Sequence, residues 1–459
     1  LFPETLKQNL FRKPKPTEAA SLNLPYTTHY FPQILDHFTF TPNSSKLFPQ
    51  RYLINSTFWS SSSSPIFVYA GAEDDITWLA YNSGFLFDIA PIFNALLVFI
   101  EHRFYGESLP FGEDSYTSID NLGYFTSTQA LADYAVLIRS LKHNLSAEAA
   151  PVVVFGASYG GMLAAWFRLK YPHIAMGALA SSAPILQFDK IVPWTGFYDA
   201  VSQSYKDESM NCFEVIKGCW DKLMSTNLPE LSKIFRSCEE LQSASLVEGW
   251  LNTAFVSTAM YDYPVPVAFL PTYPVKQMCR IIDGFPNGTS TLDKVFAAAS
   301  VYYNSSGTEQ CFDFASASLP LNGWSWQACT EMVMPMSRSN ESMFLPYAYD
   351  YKQREAYCKS IFGVQPRPHW ITTEYGGYRI EHVLERFGSN IIFSNGMRDP
   401  WRQGGVLKNI SSSIVALVTK KGAHVLDLFA TTKNDPKWLI EQRENEIEII
   451  KGWINQYFA

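Results

Sequence analysis

No apolar run in this 459-residue chain approaches the ~20 residues that a membrane-spanning helix needs. The mature chain is therefore expected to be soluble. A basic excess is missing too: 36 Lys and Arg stand against 43 Asp and Glu, a net charge of −7. That balance argues against nucleic acid as a partner. Charged residues are only 17% and aromatics reach 15%, which excludes a disordered chain and points to a large buried core. Cysteine is absent before position 212 and after position 358, and no C-x-x-C pair occurs. The spacing is not that of a zinc site, and neither metal nor cofactor is expected. No internal repeat is visible. The chain begins at Leu1 rather than Met, so an N-terminal leader is expected to have been removed.

The seven cysteines present are Cys212, Cys219, Cys238, Cys279, Cys311, Cys329 and Cys358. Confined to one stretch, they suggest disulfides stapling one module, with an odd thiol left over. Seven N-glycosylation sequons, at Asn43, Asn55, Asn144, Asn287, Asn304, Asn340 and Asn409, suggest a glycoprotein of the secretory route, destined for a lysosome, a vacuole or the outside of the cell.

The length is enough for more than one domain. Residues 1–27, with Pro3, Pro14, Pro16 and Pro25, read as an extended arm. Thr28 to Phe40 and Gln50 to Trp59 alternate in polarity and read as two edge strands. Short apolar strands then alternate with helical patterns. Pro65–Ala70, Ala95–Ile100 and Met176–Pro184 read as strands, and Phe85–Phe93 and Thr128–Leu141 as helices. That alternation implies a mostly parallel sheet. From 186 to about 370 the texture turns helical, with Pro-rich joints such as Tyr263-Pro-Val-Pro266. Strands return at Asn390–Ser394 and Ser413–Thr419, and a last helix runs from about Pro436 to Phe458. The expected architecture is an α/β-hydrolase core, 1–185 and 371–459, with a helical, disulfide-bonded cap inserted at 186–370.

The chemistry centres on Val152-Val-Val-Phe-Gly-Ala-Ser-Tyr-Gly-Gly-Met162, a strand that meets G-x-S-x-G and passes straight into a helix. Alone, such a motif arises by chance in about one chain in seven of this length. Its context, strand before and helix after, is that of a nucleophile elbow with Ser158 at the apex. In such sheets the acid and then the base follow on loops after later strands. Asp399 lies on the loop after Asn390–Ser394. His424, in Gly422-Ala-His424, is the one histidine beyond it. Ser158 needs a base to take its proton, His424 can supply it, and Asp399 would orient the imidazole. The Tyr159 N–H and a loop N–H at Ala72 or Glu73 are the expected oxyanion donors.

These residues resemble the serine peptidase family of lysosomal Pro-X carboxypeptidase and dipeptidyl peptidase II. The resemblance is carried by Gln50-Arg-Tyr52, Val98 to Gly112, Gly156 to Arg168, Trp324 to Glu331, Ser394-Asn-Gly396 with Asp399-Pro-Trp401, and Gly422-Ala-His424. It runs from about Thr28 to the C-terminus and is greatest to plant members of the Pro-X carboxypeptidase branch. It implies a serine exopeptidase cleaving after proline, and so peptide substrates that contain proline. A second copy of the chain is the candidate protein partner. Met162, Met334 and Trp401 would line the proline pocket, where a flat ring suits Met and Trp walls. Glu73 would help recognise the substrate end. The implied disulfides are Cys212–Cys279, Cys238–Cys311 and Cys329–Cys358, with Cys219 spare; Trp194 and Ser337 stand where a further family disulfide would be.

The sequence also departs from the family pattern. The turn Gly-Asn-Glu-Gly-Asp reads Gly71-Ala-Glu-Asp-Asp75, and Met397-Arg398 replaces a Glu-Leu or similar pair before Asp399. Val425 and Phe429 replace a carboxypeptidase-type His and Arg after the catalytic His. Dipeptidyl aminopeptidase, prolyl endopeptidase and acyl transfer are therefore the alternatives to a carboxypeptidase.

Overall fold

The computed structural model describes residues 26–267, 270–314 and 323–459. The arm expected at the N-terminus lies, up to residue 25, outside the described residues.

Eight strands form one sheet in the order β1-β2-β4-β3-β5-β6-β7-β8. They are β1 (Thr27–Ile34), β2 (Leu47–Asn55), β3 (Ile66–Ala70), β4 (Leu96–Ile100), β5 (Val152–Ala157), β6 (Gly177–Ser181), β7 (Ile391–Gly396) and β8 (Ile414–Thr419). β1–β2 and β2–β4 pair antiparallel; every other pair is parallel. β3 to β7 are short apolar runs buried on both faces, as strands flanked by helices must be. One expectation is corrected here. Of the two strands expected at an edge, β1 alone is one; β2 is interior, because it also pairs with β4 through Tyr52–Asn55.

The chain leaves the sheet after β6 and rejoins it at β7. Between them the described residues fold into helices, including Gly196–Glu208, Ala244–Met260, Pro274–Gly284 and Thr291–Tyr303. This helical insertion carries all three disulfides, Cys212–Cys279, Cys238–Cys311 and Cys329–Cys358. Cys219 is the free, buried thiol. At the place of the missing family disulfide, the Ser337 N–H donates to the Trp194 carbonyl at 2.8 Å. The two positions are still neighbours, joined by a hydrogen bond.

The C-terminal helix, Lys437–Phe458, buries Leu439, Gln442, Arg443, Glu446, Ile450 and Trp453. That is a helical stripe, but its middle is polar. Among the described residues, no helix is long and apolar enough to cross a membrane.

Candidate active site

Ser158 stands between β5 and the helix Tyr159–Lys170, with φ 55° and ψ −120°. A side chain at positive φ is strained by roughly 1–3 kcal/mol, and such strain persists only where the surroundings enforce it. Here they do. The Ser158 N–H donates to the Ser181 carbonyl of β6 at 2.9 Å. A Cβ at Gly156 would lie 2.0 Å from the Gly160 carbonyl oxygen, and one at Gly160 would lie 2.8 Å from that of Ala70. Only glycine lets the strand, the turn and the helix approach this closely.

Asp399 and His424 come together on the loops after β7 and β8. His424 Nδ1 lies 2.7 Å from Asp399 Oδ2. The other oxygen, Oδ1, accepts the Trp401 N–H at 2.9 Å. Asp399 is 0% exposed and His424 2%, so the bond forms away from water, where it is strongest. The Val425 N–H donates to Ser182 Oγ at 2.9 Å, just past β6.

The two residues expected to donate to an oxyanion are also held in place. Tyr159 opens its helix, so its N–H has no partner four residues earlier in the helix. Ala72 is buried, and its Cβ lies 3.3 Å from where a Cβ on Gly160 would be. The loop that holds Ala72 is tied down by Asp75, which caps the helix Ile76–Tyr81 by accepting the Thr77 N–H at 2.8 Å. Arg51 bridges Asp75 at 2.6 Å and the buried Glu101 at 2.5 Å. Glu101 also accepts the Ile76, Glu107 and Ser108 N–H groups.

Beneath the elbow runs a buried relay. Gln327 Nε2 donates to the Tyr159 hydroxyl at 2.8 Å, and that oxygen lies 3.1 Å from His102 Nε2. His102 Nδ1 lies 2.6 Å from the Arg103 carbonyl. A carbonyl can only accept, so Nδ1 carries the proton and Nε2 accepts from Tyr159. Burial lowers the His102 pKa to about 4 and keeps the ring neutral.

One cleft gathers these parts. Ala72, Glu73, Ser158, Trp401 and His424 all line it. Its walls add Phe197, Tyr198, Met260, Tyr261 and Met336 from the helical insertion. Of the expected pocket residues, Trp401 lines the cleft. Met162 is fully buried and Met334 is 9% exposed; neither is among the lining residues, where Met260 and Met336 supply the methionine walls instead. The Val425 and Phe429 substitutions both face the cleft.

Sequence reasoning missed the hold on His424. Its N–H donates to the Met260 carbonyl at 3.1 Å, and its own carbonyl accepts the Tyr263 hydroxyl at 2.8 Å. The Tyr263-Pro-Val-Pro266 joint was legible only as a bend.

Among the sequon asparagines, Asn43, Asn144, Asn287, Asn340 and Asn409 are exposed. Asn304 is half-buried and closes a turn onto the Glu309 N–H and carbonyl. Asn55 is a correction. It is 2% exposed at the end of β2, opposite Leu97 of β4, and has no room for a glycan.

Residues 33–446 match the family model described as serine carboxypeptidase S28. A lysosomal Pro-X carboxypeptidase of Mus musculus is 42% identical over 461 residues, covering 97% of this chain and 92% of that protein. The Homo sapiens protein of the same name is 41% identical, covering 96% and 91%. A serine protease of Caenorhabditis elegans, described as putative serine protease pcp-1, is 34% identical, covering 98% and 86%.

Proposed function

The chain belongs to the serine carboxypeptidase S28 family, and from that premise we propose that it hydrolyses the bond after proline and releases the C-terminal residue of peptides ending Pro-Xaa. The observation that carries the reading is the buried 2.7 Å bond between His424 and Asp399, in a cleft that Ser158 also lines. In a triad this is the bond that orients the base and fixes its tautomer.

The chemistry then follows. His424 Nε2 takes the Ser158 proton as Oγ attacks the proline carbonyl. The oxyanion forms against the Tyr159 and Ala72 N–H groups. His424 returns the proton to the leaving nitrogen, an acyl-enzyme remains on Ser158, and water repeats the steps in reverse. Trp401, Met336 and Met260 offer flat, apolar walls for the proline ring.

A second reading has an observation of its own. Glu73 and Asp74 line the cleft, and no Lys or Arg is among its lining residues. Carboxylates favour a substrate's free amine over its terminal carboxylate, which is the preference of an amino-end dipeptidase. Mass spectrometry of digests separates the two. Loss of one residue from peptides ending Pro-Xaa supports the carboxypeptidase. Release of Xaa-Pro dipeptides supports the second reading. If neither is cut from acid to neutral pH, cleavage after proline is wrong.

The three disulfides and the exposed sequons support a glycosylated protein of the secretory route. The relatives named for lysosomal enzymes point to an acidic compartment.

A further inference from the structure

Three residues past His424 the chain buries a carboxyl pair that the triad does not use. Asp427, on the His424 loop, is 4% exposed, and Glu446, on the C-terminal helix, is 0% exposed. Ser181 Oγ, at the end of β6, donates to Asp427 Oδ1 at 2.6 Å. Ser394 Oγ, on β7, donates to Glu446 Oε1 at 2.9 Å and accepts from Gln442 Nε2 at 2.6 Å. Asp427 and Glu446 are near enough that the charge of Asp427 raises the Glu446 pKa, and Ser394 eases the burial of both. Their remaining oxygens, Asp427 Oδ2 and Glu446 Oε2, are buried and have no hydrogen-bond donor.

The surroundings do not neutralise two negative charges. Arg443 is the nearby cation, and its guanidinium is committed elsewhere. It donates to the carbonyls of Leu426, Asp427 and Phe429, and pairs with Asp435 at 2.6 Å. Tyr69 of β3 and Tyr263 of the helical insertion are close enough to feel the charge of Asp427. Burial pushes both phenols up, so they stay neutral. Two ionised carboxylates here would each carry a desolvation cost of several kcal/mol, with their mutual repulsion added. One proton between them removes the repulsion and supplies the donor that the two bare oxygens lack.

We propose that Asp427 and Glu446 share one proton, and that in this form they position the His424 loop against the C-terminal helix for catalysis. Neither touches the reacting atoms. They act through the loop: Asp427 is fastened to Ser181, the next residue, Ser182, receives the Val425 N–H, and Arg443 gathers the loop's carbonyls. When the proton leaves, like charges face each other across the joint between loop and helix, and the loop loosens under His424.

Burial raises both acids, Glu446 well above its ordinary value, and Asp427 raises Glu446 further. The sign follows. A raised carboxyl stabilises the fold fully below its unfolded pKa of about 4, and that contribution is lost as pH rises through the folded value. The pair thus favours acid working conditions.

The test compares the wild type with Glu446→Gln, whose amide gives Asp427 a permanent donor and cannot ionise. The readouts are the melting temperature and the rate at which a fluorophosphonate labels Ser158, from about pH 5 to about pH 8. The labelling rate of the variant relative to the wild type is expected near one at the acid end. It should rise roughly threefold or more by the alkaline end, while the variant's melting temperature falls less with pH. A ratio that stays constant, or parallel melting curves, overturns the proposal. Asp427→Asn gives the same readout should the first variant not fold. In the wild type at neutral pH, the infrared spectrum must show a protonated-carboxyl stretch that either variant removes; its absence also overturns the proposal.

Discussion

Tyr263 donates its hydroxyl to the carbonyl oxygen of His424 at 2.8 Å, across 161 residues of chain. With the Met260 carbonyl on the His424 N–H, both backbone groups of the base are met by the helical insertion rather than by the core. The insertion therefore does more than wall the cleft: it holds one member of the proposed triad.

Tyr263→Phe removes one buried donor and keeps the ring. A buried acceptor left unsatisfied costs about 1–3 kcal/mol. The expected outcome is a lower melting temperature and a severalfold fall in kcat with little change in KM, because the contact orients the base and not the substrate. Steady-state kinetics check it; an unchanged kcat would mean that the loop needs no help from the insertion.

Asp399→Asn should leave the fold intact, since the amide oxygen can still accept the Trp401 N–H. Its NH2 cannot accept from His424 Nδ1, so the imidazole takes the wrong tautomer. A fall in kcat of roughly 10³–10⁴ is expected, with near-wild-type circular dichroism. A fall of less than tenfold would remove Asp399 from the triad.

Much of this site was legible because its signals are local. Gly156 and Gly160 flank Ser158 within one turn, and Asp399 and His424 each follow an apolar strand that declares itself by composition. The family resemblance supplied the three disulfides. The rest depended on tertiary contacts. Tyr263 reaches His424 through a bend whose sequence shows only prolines. Phe197, on the helix Gly196–Glu208, and Met336, on the irregular segment after the helix Gly323–Thr330, line the cleft from stretches remote in sequence. β2 looked like an edge strand because its alternation is the same whether one neighbour or two pair with it. One signal was present and went unread. Glu446 falls on the buried stripe of a helix, at the spacing of Leu439, Gln442 and Ile450. A charged residue on such a stripe is a local conflict of the kind that marks functional sites.

His102 gives the enzyme an acid limit. Its pKa is lowered to about 4 by burial, against 6.5 for a free imidazole. A lowered histidine stabilises the fold above the unfolded value, and that contribution is lost as pH falls from 6.5 through about 4. The loss amounts to about 3 kcal/mol. Replacing His102 with Asn should flatten the decline of the denaturation midpoint in that window. Denaturant titrations at its two ends test this; equal slopes for the two proteins would place the acid sensitivity elsewhere.

Arg398, next to Asp399, joins the acid loop to the insertion. It pairs with Glu208 at 2.6 Å and lies 2.7 Å from Asp262 Oδ2, without hydrogen-bond geometry. Burial raises the Asp262 pKa to about 7, more than Arg398 and the Val275 N–H lower it. Asp262 is therefore held mostly neutral in acid and charged, at a cost, in alkali. Asp262→Asn should match the wild type in melting temperature at about pH 5 and exceed it increasingly as pH rises through about 7, since replacing a poorly compensated buried ion is often stabilising. Glu208 stays on Arg398 in this variant, so the clasp itself survives. Thermal melts across that range decide the matter. A variant less stable than the wild type at alkaline pH would mean that the Arg398–Asp262 attraction outweighs the cost of burying the charge.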